Sequence, residues 1–77
     1  LDLSRNKIKD IHSEFWKSDS LLRLILYNNL LEKVAEEVCD CKKLQLLDVS
    51  NNFLSTMPSL NLLTELKEVR IGLNEFK

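Results

Sequence analysis

The sequence predicts an α/β solenoid, a coil of short units with a short parallel β-sheet on its concave face and short helices or irregular turns on its convex face. Three observations carry this expectation. Asparagine recurs at Asn6, Asn29, Asn52 and Asn74, after intervals of 23, 23 and 22 residues. Around each asparagine the same apolar spacing is repeated. Between the repeats lie polar stretches interrupted by further apolar stations. The chain has 77 residues, about half of an average domain, so burial must come from something other than a large central core. Stacked repeats meet that need, because each unit covers the apolar side of the next.

The first unit, LDLSRNKIKDI from Leu1, places Leu1, Leu3, Ile8 and Ile11 around Asn6. The second, from Leu22, supplies Leu24, Leu26, Leu31 and Val34 around Asn29. The third, from Leu44, supplies Leu47, Val49, Leu54 and Met57 around Asn52. A fourth begins with Val69, Ile71, Asn74 and Phe76 and then stops. Further stations follow each strand: Phe15 in the first unit, Val38 and Cys41 in the second, Leu60 and Leu63 in the third. The third set arrives one residue early, which puts the lost residue near Pro58, on the connecting arm rather than in a strand whose register cannot slip. The units run 1–20 (partial), 21–43, 44–65 and 66–77 (partial). A chain that opens on Leu1 and stops in mid-unit reads as part of a longer solenoid, and as an isolated piece it is expected to be marginally stable.

This pattern resembles the leucine-rich repeat family, whose consensus LxxLxLxxNxLxx(L)Pxx(L)xx(L)xx is met by Leu21-x-x-Leu24, Leu44-x-x-Leu47 and Leu66-x-x-Val69 with their asparagines. The resemblance covers essentially the whole chain. The repeat length and the Met57-Pro58 step look like the intracellular class that includes Ras-scaffold and Scribble-like proteins. Ser18 stands at a station that is normally apolar, and His12 and Ala35 stand where Pro58 sits in the third unit. The resemblance implies a right-handed, ribonuclease-inhibitor-like horseshoe, a buried structural ladder formed by Asn6, Asn29, Asn52 and Asn74, and a protein partner held on the concave face.

The physics of each part agrees. Apolar residues alternating over a few positions mark a short strand with one buried side, and a unit of this length must cross over before the next parallel strand. Each asparagine falls where the strand turns inward and its backbone loses ladder partners, a place that suits a short amide able to bond nearby main chain. The arms carry Ser13, Glu14, Lys17, Glu36, Glu37 and Asp40 between apolar stations, which reads as short helical turns with a wet outer side. Strands about 4.8 Å apart on the inside, with bulkier turns outside, would curve the stack.

Strand positions that do not point into the core vary in chemistry while their neighbours stay aliphatic. The candidate partner-binding residues are therefore Arg23, Ile25, Tyr27, Leu46, Asp48, Glu68 and Arg70. Ile25, Tyr27 and Leu46 would form an apolar and aromatic spot rimmed by charge, the makeup of an interface hot spot. The competing reading is that Ile25 and Tyr27 simply pack on each other. Asp48 and Arg70 fall on neighbouring strands and could pair across them, for less than about 1 kcal/mol.

Cys39 and Cys41 invite a metal or redox reading, yet two cysteines lack the further ligands zinc demands, and the lone His12 superposes on Ala35 rather than Cys39. Cys41 occupies a leucine station and is expected in the core. Trp16, equivalent to Cys39 one unit later, either packs between arms or offers a second contact surface on the convex side.

Eleven basic and twelve acidic residues are interspersed rather than gathered in a stripe, which argues against nucleic acid. No apolar run approaches the roughly 18 residues of a membrane span. With only two cysteines and no Asn-x-Ser/Thr acceptor, the composition favours a cytoplasmic setting. A single glycine, Gly72, leaves no phosphate loop, and no nucleophile elbow or histidine–carboxylate set is present, so the expected role is binding without catalysis, cofactor or metal. Two alternatives accompany the binding module: a recruitment or autoinhibitory region of a larger signalling enzyme such as a kinase, GTPase or ubiquitin ligase, and a structural spacer.

Overall fold

Alternation of aliphatic side chains at Leu24/Leu26 and Leu47/Val49 gives strands with one fully buried side, and the computed structural model, which describes residues 1–76, stacks them in parallel. Strand β1 (Arg23–Ile25) pairs with β2 (Leu46–Asp48), and β2 with β3 (Glu68–Arg70), in the order β1-β2-β3. Arg23 lies opposite Leu46 and Leu46 opposite Glu68, while Ile25 lies opposite Asp48 and Asp48 opposite Arg70. The spacing between partners therefore drops from 23 residues across β1 and β2 to 22 across β2 and β3 without a register slip. Lys77, the end of the fourth unit, lies outside the described residues.

The first unit departs from the expected strand. It contributes only an isolated bridge between Asp2 and Ile25, with the Leu3 N–H donating to the Ile25 carbonyl at 2.8 Å. Its backbone still follows the second unit, the Leu1 carbonyl accepting from the Ile25 N–H at 2.9 Å and the Arg5 N–H donating to the Tyr27 carbonyl at 2.9 Å.

The outer layer differs from an α-helical one. Two arms carry 3₁₀ helices, Ser13–Lys17 and Glu36–Asp40, which pack on each other, and the third arm passes through turns between Pro58 and Leu66. Five residues per arm are too few for an α-helix to offset its nucleation cost, whereas a 3₁₀ turn closes with fewer. His12 caps the first of these helices, its Nδ1 accepting from the Glu14 N–H at 3.2 Å. The third arm has lost one residue and holds Pro58 at its start, which removes a backbone donor.

The core runs between sheet and arms. Leu24, Leu26, Leu31, Val38, Cys41, Leu44, Leu47, Val49 and Leu54 are fully buried, each aliphatic side chain contributing about 1.5–3 kcal/mol. Burial fades towards both ends: Leu3, Ile8 and Ile11 are half-buried, and Val69, Ile71 and Phe76 are exposed.

Each unit turns towards its arm through a residue in the left-handed region: Arg5 at φ 59°, Asn28 at 58°, Asn51 at 54° and Leu73 at 56°. Asparagine tolerates this conformation, whereas an ordinary L side chain costs roughly 1–2 kcal/mol there. Leu73 is 75% exposed, so its replacement sacrifices little burial. Leu73→Asn is expected to stabilise the chain by about 0.5–1 kcal/mol, seen as a higher urea midpoint at unchanged m. An unchanged or lower midpoint would show that the turn carries no strain.

Candidate functional site

Two sets of side chains are organised by the strand-to-arm turn: the asparagines beneath it and the open face of the sheet beside it. Asn52 is buried, and its amide nitrogen donates to the carbonyls of Leu26 (3.0 Å), Val49 (3.0 Å) and Ser50 (3.2 Å), while its Oδ1 accepts from the Leu31 N–H at 3.0 Å. Asn29 repeats the arrangement one unit earlier, donating to Leu3, Leu26 and Tyr27 and accepting from the N–H groups of Asn6 and Ile8. Asn74 does so one unit later, donating to Val49, Ile71 and Gly72 and accepting from the Leu54 N–H. Asn6 is exposed and donates only within its own unit, to Leu3 and Ser4. Each of the later three thus ties its own turn to the unit before it.

A second, outer link lies outside the apolar spacing of the repeat. Asn51 donates through Nδ2 to the Oδ1 of Asn28 at 3.2 Å, linking the turn residues of neighbouring units. The signal was the Asn-Asn doublet at 28–29 and again at 51–52.

On the open face, Arg23, Ile25 and Tyr27 follow one another along the second unit, exposed, half-buried and half-buried. Leu46, half-buried, lies beside Arg23, and Glu68 and Arg70 are exposed on β3. Tyr27 does not stand alone: the guanidinium of Arg5 lies 6.0 Å from its ring centroid, a cation–π arrangement.

Asp48 departs from the exposed rim position that alternation assigns to it. It is 6% exposed, and its Oδ1 accepts from the Ser50 N–H at 3.0 Å and the Ser50 hydroxyl at 2.6 Å. Arg70 covers it from the next strand, Nη1 to Oδ2 at 3.9 Å, while also pairing with Glu68 through Nε. The cross-strand pair is therefore present but long, and Asp48 serves its own turn before any partner. The first unit uses the same Asp-x-Ser device: Asp2 accepts from the Ser4 hydroxyl at 2.6 Å and the Ser4 N–H at 2.9 Å, which lowers its pKa below the usual carboxylate value.

Away from the sheet, Trp16 is the fully buried residue of the first 3₁₀ helix, edge-on to half-buried Phe15, with ring centroids 5.5 Å apart. That burial removes it as a convex contact surface. Cys41 lies in the core, where burial pushes its thiol pKa up and keeps it protonated. Cys39 is half-buried, its Sγ donating to the Ser59 carbonyl at 3.2 Å, and both cysteines are free thiols. No group of metal-ligating side chains gathers among the described residues, and none of their helices is long and apolar enough to cross a membrane.

Comparison with known proteins gives two family-model matches, both described as leucine-rich repeat, over residues 1–54 and 43–67. No curated protein matches the chain.

Proposed function

The chain belongs to the leucine-rich repeat family, and from that premise we propose that it is a protein-interaction module that grips a protein partner on the open face of its sheet. The observation that carries the reading is the contrast within the second unit. Leu24 and Leu26 are sealed inside, while Arg23, Ile25 and Tyr27 on the opposite side present a cation, an aliphatic and an aromatic group to solvent. Such amphipathic aromatic anchors dominate interface energetics. Repeats of this family generally mediate protein–protein contacts and are typically non-catalytic, and continuation of the stack would bend this face into the concave side of a right-handed arc. The two free thiols suit a cytoplasmic setting, where scaffolding within signalling assemblies is the role in view.

The test is a peptide selection. Ligands selected from a displayed library of protein fragments against the immobilised chain are expected to lose about 30-fold or more in affinity for the Ile25→Ser/Tyr27→Ser double variant, following truncation of an anchor worth about 2 kcal/mol. Far-ultraviolet circular dichroism should be unchanged, since neither side chain is in the buried core. Full retention of affinity would remove the sheet face as the recognition surface.

A further inference from the structure

Most charges on the open face are already engaged within the chain. The Asp2 carboxylate is held by Ser4, Asp48 by Ser50 and Arg70, and Glu68 by Arg70. Two guanidiniums differ: among the described residues neither Arg5 nor Arg23 forms an ion pair. Arg23 stands at the start of β1 next to Leu46, which separates it in register from Glu68 on β3. Arg23, Ile25 and Tyr27 follow one another every second residue as cation, aliphatic and aromatic, and the neighbouring unit sets the second cation, Arg5, beside Tyr27. The step from Arg23 to Tyr27 is about 13 Å at roughly 3.3 Å per strand residue.

We infer that the partner of this face is an acidic peptide segment that seats an apolar side chain on Ile25 and Tyr27 and brings one carboxylate to Arg23 and another to Arg5. The inference rests on the sheet being the recognition face. A guanidinium beside an apolar contact forms a forked, partly desolvated pair with a carboxylate. A basic segment would meet two like charges, with Asp48 and Glu68 already paired to Arg70 and only the exposed Asp2 carboxylate, hydrogen-bonded to neutral Ser4, left to attract it. The same two cations would steer an acidic segment during encounter, so association slows as salt rises.

Random short peptides displayed on phage and panned against the immobilised chain provide the test. Enriched sequences are expected to carry two Asp or Glu residues flanking Leu, Ile or Phe. A synthetic peptide of that type should lose about tenfold in affinity for each of Arg23→Glu and Arg5→Glu, and its Lys-substituted counterpart should bind the double-reversal variant better than the wild type. Trp16 emission and circular dichroism verify that the reversals stay folded. Failure of acidic–apolar peptides to enrich, or charge reversals that leave affinity unchanged, overturns the inference. If Ile25→Ser/Tyr27→Ser still abolishes binding in that case, the recognition face stands and only its charge preference is wrong. If that variant also binds normally, the face itself is wrong.

Discussion

Asn52→Ala is expected to destabilise the chain by about 2–3 kcal/mol, read from the free energy of urea unfolding. The side chain is 4% exposed and serves four backbone groups at once, three as donor and one as acceptor. Alanine fills none of these roles, and water cannot reach the turn without opening it, so buried backbone groups lose their partner at about 1–3 kcal/mol for the unsatisfied group. Two of the four, Leu31 N–H and Leu26 C=O, belong to the preceding unit, so the loss also loosens the interface between units. Asn6→Ala is the internal control. Asn6 is exposed and bonds only within its own turn, so its loss should cost less than about 1 kcal/mol. Equal losses at the two positions would mean that burial and inter-unit bonding are not what makes these asparagines matter.

Trp16→Ala is expected to be the most damaging single substitution in the first arm, at about 3–5 kcal/mol. The indole is 1% exposed and contacts Phe15 edge to face at an interplanar angle of 86°. Its removal leaves a void that one short helix and a half-strand cannot collapse to fill. Trp16→Phe separates the packing from the polar atom. The indole N–H finds no acceptor among the described residues, so the phenyl ring should retain most of the stability and lose only about 1–2 kcal/mol for the missing volume. In the native chain the emission of Trp16 should be blue-shifted and shielded from acrylamide. A red emission maximum, or an alanine variant as stable as the wild type, would place the ring outside the core.

The repeat was legible because its determinants are local and periodic. Leu24, Leu47 and their partners alternate within a few residues, and the register they imply is the one in which Leu24 meets Leu47 and Leu47 meets Val69. What escaped depends on neighbours in space. Asp48 has the alternation of an exposed residue, yet Ser50 two positions on folds back to its carboxylate and Arg70 from the next strand covers it. For Trp16 the sequence left packing between arms and a convex contact both open, because its counterpart one unit later is the far smaller Cys39; burial of the ring decides for packing. The left-handed turn was signalled by Asn28 and Asn51 but disguised by Arg5 and Leu73 at equivalent places, residues that ordinarily avoid positive φ.

The third arm, one residue shorter and without a helix, leaves the pairing of β2 with β3 untouched. Distance along this molecule is therefore metered on one edge alone, by the hydrogen-bonded strands and the amides beneath them. The opposite edge carries slack: residues can be dropped from it, or its helix replaced by turns, without re-aiming a single side chain on the metered edge. Bulk and specificity are thereby free to vary independently from one unit to the next.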